Sequence, residues 1–463
     1  MKKFLNLVVI TLLIFMMQTA TTEAKQKNED DSYKLQYLNL TWWENYNDPI
    51  LNEHLKEIYT KNPDLKIASL KVKEGEKLVK ISFANQLPQL SFDGTLNRNL
   101  KSSDLYFGAL QIPSFKQSEL QLPLTMSYEV DIWGTNRFRT KSIEKQLAMI
   151  QQDERAAFIA LSSAFAAEYF NLVRIDKLVE TQQKIVDTQR QIVEKTNIKF
   201  QNGLATQNDL LNEEKALTYF QEDLNNLVDK QAVLIHELRV YLSINDDTDI
   251  KRTKYEKLEP LKNLPEKMSS DVITQRPDYL RAEHNIKRVG YDVKVAKREF
   301  LPKFLIFGQV GFNAYQFNKL FSSPAQMASA GILPQLDIFD GGRKFAILKL
   351  KKYEYDEALQ IYQKTILTSW QELNDSIGGA ITAQRNYNAS IERIKYENHQ
   401  LALLDKKANI GAAAPLDVLY GKERQLLTEK DEISNKVNLI ISSINIYKAI
   451  GGRDIFAVEK ENI

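Results

Sequence analysis

The stretch LQLPLTMSYEVDIW, residues Leu120 to Trp133, decides how the rest of this chain is interpreted. Its even-numbered positions are apolar or aromatic, whereas its odd-numbered positions are mostly polar or charged. Because successive side chains of a strand point to opposite faces, the stretch predicts a strand with one apolar face and one polar face. Gly134 ends it, and a helical pattern without proline then continues to about Phe200.

The same succession of elements occurs twice in the chain. Two helical segments each begin at a proline and end at a second proline 25 residues later, Pro63 to Pro88 and Pro277 to Pro302. Further pairs recur in the same order with six-residue spacing in both copies: Asp131 and Arg137 with Asp337 and Arg343, and Gly203 and Asp209 with Gly411 and Asp417. Anchors in one order at a nearly constant offset indicate a duplicated unit. Each copy is predicted to contain a helix, two strands, a long helix, a glycine turn and a return helix.

The long helices have the periodicity of coiled coils. Apolar residues recur every seven positions in the first long helix and in its return helix: Leu178, Ile185 and Ile192, then Leu210, Leu217 and Leu224. A seven-residue repeat keeps an apolar seam on one face of a supercoiling helix. If residues 135–200 form one helix, it is ~100 Å long at 1.5 Å per residue. The return after Gly203 predicts a long antiparallel helical hairpin in each copy.

These patterns divide the chain into segments. Residues 1–24 read as an export signal, since two lysines precede an apolar run and Ala24 ends a plausible cleavage site. The remaining segments are an N-terminal extension at 25–61, a first repeat at 62–242, a connector at 243–270, a second repeat at 271–452 and a tail at 453–463. The first repeat is predicted to hold a β-hairpin at 89–133 and a helical hairpin at 135–242, and the second a β-hairpin at 303–339 and a helical hairpin at 343–450.

Composition excludes several classes of protein. The chain has 62 Lys and Arg against 60 Asp and Glu, so it lacks the basic footprint of a nucleic-acid-binding protein. It has no cysteine, which excludes disulfides, thiolate metal sites and a cysteine acceptor for an N-terminal lipid. After residue 24 no run of ~18 unbroken apolar residues occurs, so we expect no membrane-spanning helix. Any membrane attachment is therefore expected to come from the fold, without lipidation.

No motif for catalysis or cofactor binding is recognisable. The four histidines are scattered, and none has metal-ligand spacing to another: His54, His236, His284 and His399. No phosphate-binding loop and no nucleophile motif of the GxSxG type is present. We therefore expect no enzyme activity, no cofactor and no metal site.

Four strands of this kind require more than one copy of the chain. In the second repeat, Phe304, Ile306, Val310 and Phe312 alternate on one face, and Ile332, Leu336 and Ile338 form another alternating set. Four amphipathic strands are too few to close a barrel, which needs ~8 or more, and open edges are not tolerated in lipid. A soluble sandwich does not fit two separated hairpins that each lead into a long helical hairpin. Cyclic assembly of two to four copies would close one barrel.

The loops of the two hairpins carry aromatic residues whose role the sequence leaves open. Tyr106, Phe107 and Phe115 belong to the first hairpin, and Tyr315, Phe317 and Phe321 to the second. Aromatic belts of this kind lie at membrane interfaces. Ordinary packing within the loops explains them equally well.

Several motifs resemble one known family, the TolC/OprM type of outer-membrane efflux channel. They are Trp42-Trp43-Glu-Asn-Tyr46-Asn-Asp48-Pro49, Asn-Pro-Asp-Leu at 62–65, Ser127-Tyr128-Glu-Val-Asp131-Ile-Trp133-Gly134 and Tyr447-Lys-Ala-Ile-Gly451-Gly452. The resemblance implies an α+β membrane protein that forms a homotrimer. It implies a 12-stranded β-barrel in the lipid of the bacterial outer membrane, four strands per chain, continued by a long periplasmic coiled-coil barrel of helices. The connector would form part of an equatorial belt.

The resemblance also implies a function and partners. Members of this family are passive exit ducts, and an inner-membrane pump and a periplasmic adaptor (membrane fusion protein) supply energy and docking. The same fold serves type I protein secretion and metal-ion efflux. The absence of His- or Met-rich tracts and the paired Trp42 and Trp43 favour drug efflux. A structural coiled-coil protein of the envelope is the alternative from another class.

Functional residues are carried over from the family only at matching positions. The glycine turns resemble the periplasmic tips that contact the adaptor: Gly203, Leu204, Ala205, Thr206, Gly411, Ala412, Ala413 and Pro415. Asp209 and Asp417 match aspartates that line the periplasmic gate, where three copies would form rings of carboxylates that favour cations. The alternative is that each aspartate caps the N-terminus of its return helix.

The chain also departs from the family at the gate. Some members have a second acidic ring nine residues after the second tip glycine, where this chain has Tyr420. Others lock the closed state with a tyrosine and an arginine at positions that are Ala408 and Ala413 here. We therefore expect that Tyr420 forms an aromatic constriction in the gate in place of that lock.

Overall fold

The structure is a computed structural model that describes residues 41–101, 105–107, 109–112, 115–245 and 247–455. The predicted export signal at 1–24 lies outside these residues, as do residues 456–463 of the predicted tail. The chain divides into two compact units. The strand unit comprises Ala68–Asp153 and Asp278–Thr365, and the core unit comprises Met1–Ile67, Glu154–Pro277 and Ile366–Ile463.

Within the described residues the chain is mostly helical. The α-helices are α1 (Pro49–Lys61), α2 (Pro63–Ala84), α3 (Thr135–Gln201), α4 (Gln207–Leu242), α5 (Pro277–Arg298), α6 (Arg343–Asn409) and α7 (Pro415–Ala449). Proline occupies the first helical position of α1, α2, α5 and α7. Its fixed φ suits the helix, and a backbone N–H at this position would have no hydrogen-bond partner within the helix, so its absence costs nothing. The predicted long helices, glycine turns and return helices are confirmed. Helices α2 and α5 end before the second proline of each predicted pair.

The strand unit contains seven strands among the described residues. They are β1 (Gln89–Phe92), β2 (Thr95–Lys101), β3 (Leu105–Phe107), β4 (Leu110–Ile112), β5 (Phe115–Glu129), β6 (Lys303–Ala314) and β7 (Gln326–Gln335). The larger sheet has the order β1-β5-β6-β7, and β2 also pairs with β5, along the first half of β5 from Phe115 to Gln121. Strands β3 and β4 form a separate small hairpin. The first predicted ribbon is therefore interrupted between Phe92 and Thr95.

The antiparallel register confirms the alternation expected from the sequence. Leu124 lies opposite Val310, and Ile306 lies opposite both Tyr128 and Ile332. The even-numbered residues of β5, β6 and β7 therefore share one side of the sheet, which we call the apolar face. The other side, the polar face, carries the polar odd-numbered residues of β5 and also Lys303 and Gln309 of β6. Ile332 belongs to the same face as Ile306, whereas Leu336 and Ile338 lie beyond the end of β7.

Strand β5 ends four residues earlier than the sequence predicted, at Glu129 instead of Trp133. The cause is the carboxylate of Asp131, which accepts hydrogen bonds from the backbone N–H groups of Asn136 (3.0 Å) and Arg137 (2.9 Å). These N–H groups lie in the first turn of α3 and have no partner within the helix. Gly134 makes the turn between strand and helix with φ = +74°, a conformation that glycine adopts without strain.

The core unit is built around aromatic side chains that enter from distant parts of the chain. The ring of Trp42 stacks on that of Tyr447 with centroids 5.2 Å apart, and the hydroxyls of Tyr46 and Ser443 are 2.6 Å apart. Phe165, Tyr169 and Phe170 of α3 belong to the same buried cluster. The hydroxyl of Tyr169 donates to the carboxylate of Asp48, which also caps α1. Burial of these large rings, together with the aliphatic residues of the same cluster, stabilises this unit.

One helix in the described part of the chain, α3, has a window long and apolar enough to resemble a membrane span. The sequence did not indicate such a helix, because the apolar stretch of α3 is interrupted by polar residues. However, 56% of the window is buried within the molecule. Because core helices share this composition, packing in the core unit accounts for the apolar character of α3.

Candidate functional site at the glycine turns

The two glycine turns have the same backbone geometry. In the first, the N–H of Leu204 donates to the carbonyl of Lys199 (2.8 Å) and that of Gly203 to the carbonyl of Phe200 (3.0 Å). In the second, Ala412 donates to Lys407 and Gly411 to Ala408 at 2.8 and 3.0 Å. This is the Schellman pattern that closes a helix C-terminus with a left-handed residue. Gly203 and Gly411 supply that residue with φ of +71° and +73°.

The turns are exposed and carry mostly small side chains. Leu204 is 74% exposed and Ile410, just before Gly411, is 80% exposed. Ala205 and Ala413 are half-buried, whereas Thr206, Ala412 and Pro415 are exposed. The structure therefore places every predicted tip residue on one of two accessible turns. Contact of these residues with an adaptor stays a prediction.

Asp209 and Asp417 both cap the return helices, as the alternative reading proposed. The Asp209 carboxylate accepts from the N–H and the hydroxyl of Thr206 at 2.8 and 2.7 Å, and the Thr206 hydroxyl in turn accepts from the Asp209 N–H at 3.2 Å. These bonds from Thr206 hold the pKa of Asp209 below its usual value. Asp417 accepts one bond, from the N–H of Ala414 at 3.0 Å. Both carboxylates remain exposed, and lining of a gate by either stays a prediction.

The structure gives Tyr420 a partner that the sequence did not indicate. Its hydroxyl donates to Oε1 of Glu213 at 2.6 Å, which joins α7 to α4. The other oxygen of Glu213 accepts from Nε2 of Gln189 on α3 at 2.7 Å. One carboxylate therefore connects three helices near the turns. Burial, followed by the bond to Glu213, raises the pKa of Tyr420 above its usual value, so its hydroxyl stays protonated.

A second carboxyl group lies beside this connection. Glu423, one helical turn after Tyr420, has a buried Oε2 without a hydrogen-bond partner in the described part of the structure. Its burial, and then the charge of Glu213, raise the pKa of Glu423 above its usual value. Gly421 brings α7 close to α6, since a Cβ there would lie 2.8 Å from the side chain of Leu404.

Sequence reasoning missed Glu213, Gln189 and Glu423. Glu213 and Tyr420 are separated by 207 positions, and each lies within an ordinary helical pattern of charged and apolar residues. No local signal distinguishes Glu213 from the other acidic residues of α4. Among the described residues there is no group of three or more His, Asp or Glu side chains that could hold a metal ion.

Comparison with known proteins relates this chain to one protein family. The sequence profile of the family described as "Outer membrane efflux protein" matches residues 55–245 and 268–452. The probable efflux pump outer membrane protein TtgC of Pseudomonas putida is 23% identical over 412 residues, which cover 89% of this chain and 84% of TtgC. The cation efflux system protein CusC of Escherichia coli is 23% identical over 436 residues, 90% of this chain and 89% of CusC.

A solved structure shows the same fold. The crystal structure of the Campylobacter jejuni CmeC outer membrane channel matches with a TM-score of 0.81 at 22% identity, over 91% of both chains. The profile match covers most of the sequence, and it includes both glycine turns and all the helices from α2 to α7. The chain therefore belongs to the outer membrane efflux protein family, whose members are efflux channels of the bacterial outer membrane.

Proposed function

We propose that three copies of this chain form a passive exit duct through the outer membrane. The observation that carries this proposal is the sheet of the strand unit, which has one apolar face and, among the residues that the structure describes, two unpaired edges. One edge is formed by β1 and β2 and the other by β7. In lipid, an unpaired strand edge leaves backbone polar groups without partners at a cost of several kcal/mol each.

Cyclic assembly removes both edges. If β7 of one copy pairs with the β1–β2 edge of the next, three copies give a closed wall of 12 strand positions. The apolar face, with Leu122, Leu124 and Phe312, then contacts lipid. The polar face, with Gln121 and Thr125, then lines the channel. Such barrels alternate apolar and polar residues along each strand in this way.

The proposed helical part of the duct rests on the internal duplication. Helices α3 and α6 each have 67 residues, α2 and α5 each have 22, and α4 and α7 have 36 and 35. The family profile also matches two successive segments of the chain. Equal or nearly equal helix lengths in the same order support a duplicated unit. Each chain contains two such repeats, so a trimer has six similar helical hairpins around one axis, in the periplasm.

The narrow end of the duct is proposed to lie at the glycine turns. Asp209 and Asp417 are exposed, so threefold symmetry would arrange each as a ring of three carboxylates that favours cations. Tyr420 is proposed to contribute to the closed gate through its bond to Glu213, which ties α7 to α4. The exposed turns, with their small side chains, are proposed to dock a periplasmic adaptor that links the duct to an inner-membrane pump.

The proposed cargo is drugs or other small molecules. TtgC is named as a component of an efflux pump, and the paired tryptophans at 42–43 favour drug efflux. CusC is named for cation efflux at the same identity, so export of metal ions is the second candidate. Both candidates use the same duct, because selectivity in such a system belongs mainly to the pump.

Two experiments test the proposal in sequence. The full chain is expected in the outer-membrane fraction as a heat-modifiable trimer, and a monomer that dissolves without detergent would refute the duct. A deletion strain is then tested for its susceptibility to drugs and to metal ions, and for the loss of secreted proteins. In parallel, the purified trimer is used to capture the adaptor. Increased sensitivity to drugs alone supports the proposed cargo. Sensitivity to metal ions or loss of a secreted protein would assign the duct to the alternative systems.

A further inference from the structure

Three cations converge on one aromatic ring in the strand unit. Arg298 lies with its guanidinium carbon 4.3 Å from the ring centroid of Phe138, and the ammonium nitrogens of Lys294 and Lys141 lie at 5.3 and 5.7 Å. The ring of Tyr291 stacks on Phe138 with centroids 5.8 Å apart. We call these five side chains the cationic cluster. Cations over an aromatic face are attracted by its quadrupole, but they also repel one another.

The charges of the cationic cluster are not compensated within the described part of the chain. Lys141, Lys294 and Arg298 form no ion pair there, and Arg298 donates only to the carbonyls of Trp133 (2.6 Å) and Lys294 (3.2 Å). Two nearby cations of the same unit are paired by contrast, Lys303 with Glu299 and Lys344 with Asp337, each at 3.1 Å. Three neighbouring uncompensated cations are an arrangement that an anion stabilises.

The three cations of the cluster lie on α3 and α5, on the side of these helices that faces away from a neighbouring cavity. Arg139, Ala296 and Glu299 line a cavity of about 550 Å³ together with Lys303, which belongs to the polar face. Lys141 is two residues from Arg139 on α3, and Lys294 and Arg298 are each two residues from Ala296 on α5. Two residues along a helix correspond to a rotation of ~200°. The three cations therefore lie away from the cavity, and in the proposed barrel this places them below the lipid-facing side of the sheet.

In the proposed barrel, the cluster would also lie at the depth of the lipid headgroups. Strand β5 ends at Glu129 and α3 begins at Thr135, while α5 ends at Arg298 and β6 begins at Lys303. At 1.5 Å per residue, Lys141 and Lys294 are within ~10 Å of the helix ends next to the strands. Trp133, 39% exposed, lies at the same junction and donates its indole N–H to the carbonyl of Pro302 at 2.7 Å. Amphipathic aromatic residues favour this level of a bilayer.

We propose that the cationic cluster binds the phosphate of an anionic glycerophospholipid from the leaflet next to the helices, one lipid per copy. The inference rests on the proposed barrel, because only that assembly places the apolar face in lipid. Basic pockets at the membrane surface recognise anionic headgroups through this combination of charge and proximity. The planar guanidinium of Arg298 suits bidentate contact with phosphate oxygens, and the two lysines supply point charges.

The test is native mass spectrometry of the full trimer in detergent, titrated with phosphatidylglycerol or with phosphatidylcholine of the same acyl chains. Up to three tightly bound phosphatidylglycerol molecules per trimer are expected, with much weaker binding of phosphatidylcholine. Lys141→Gln, Lys294→Gln and Arg298→Gln together are expected to weaken phosphatidylglycerol binding roughly 100-fold, equivalent to about 2.8 kcal/mol. The matched control removes three exposed lysines elsewhere, Lys230→Gln, Lys364→Gln and Lys395→Gln, and is expected to bind as the unaltered chain does.

The outcomes separate this inference from the function on which it rests. If the trimer forms and the triple variant binds phosphatidylglycerol as tightly as the control, the cluster is not a lipid site. Equal binding of the two lipids, or full displacement by millimolar inorganic phosphate, would also overturn the proposal, since the site would then not recognise an anionic lipid. If no trimer forms even in the unaltered chain, the duct itself is refuted. A triple variant that fails to assemble is replaced by the single change Lys294→Gln, for which roughly a fivefold loss is expected.

Discussion

Replacement of Tyr420 by phenylalanine tests whether its hydroxyl holds the channel closed. The change keeps the ring but removes the bond of 2.6 Å from the hydroxyl to Glu213. A hydrogen bond to a charged group contributes about 1.5–3 kcal/mol. Because Tyr420 is 37% exposed, screening by water reduces this to about 1 kcal/mol per copy. If opening separates α7 from α4 in all three copies together, the closed state loses about 3 kcal/mol, roughly a 100-fold change in the ratio of open to closed states.

Single-channel recording in planar bilayers measures this ratio directly. The Tyr420→Phe variant is expected to open roughly 100 times more often relative to its closed time, with the conductance of the open state unchanged. Tyr219→Phe is the matched control, because this exposed tyrosine of α4 has no hydroxyl hydrogen bond among the described residues. Tyr420→Ala removes the ring as well and tests the aromatic constriction. An unchanged closed state in both Tyr420 variants would refute any role of this residue in the gate.

Three further predictions follow from the site and the core. Asp417→Asn keeps an oxygen that can accept a hydrogen bond from the N–H of Ala414, so the melting temperature is expected to stay the same. The cation selectivity of the channel, measured by its reversal potential, is expected to fall because the negative charge is lost. Unchanged selectivity would leave Asp417 only its capping role. The pKa of Glu423 is raised in the folded state, so at high pH its ionised form lowers the free energy of unfolding. This destabilisation disappears as the pH falls towards about 4.3, the pKa of glutamate in the unfolded chain. Glu423→Gln is therefore expected to raise the melting temperature at pH 8 but not at pH 4, and an equal change at both pH values would contradict this assignment. Asp48→Ala removes the cap of α1 and the acceptor of the Tyr169 hydroxyl, which should lower the free energy of unfolding by about 2–4 kcal/mol in denaturant titrations; in a Tyr169→Phe background the loss should be smaller.

The elements of this fold could be predicted because their signals are local. The alternation from Leu120 to Tyr128 follows from the two-residue period of a strand and the need to separate apolar from polar faces. Proline at positions 63, 277 and 415 starts helices, and glycine at 203 and 411 ends them, because each residue fixes or permits one backbone conformation. The early end of strand β5 at Glu129 follows from the bonds of Asp131 to Asn136 and Arg137, which the alternation of apolar and polar residues does not reveal.

A matched motif did not guarantee a matched contact. In the first copy Asp131 accepts from the backbone at the start of α3. Its counterpart Asp337 instead pairs with the side chain of Lys344 at 3.1 Å, and Asp340 accepts from the backbone N–H of Lys344 at 3.0 Å. The two matching motifs therefore share the helix start but not the residue that stabilises it.

Sequence period and turn chemistry were sufficient for the long helices, the glycine turns and the alternation of β5 and β6, and motif resemblance was sufficient for the family. The packing of Trp42 against Tyr447, the bond between Tyr420 and Glu213, and the convergence of Lys141, Lys294 and Arg298 on one ring became evident only in three dimensions. The physical reason is the range of the interactions. Backbone preferences and periodicity act over a few residues, whereas each of these contacts joins segments that only folding brings together.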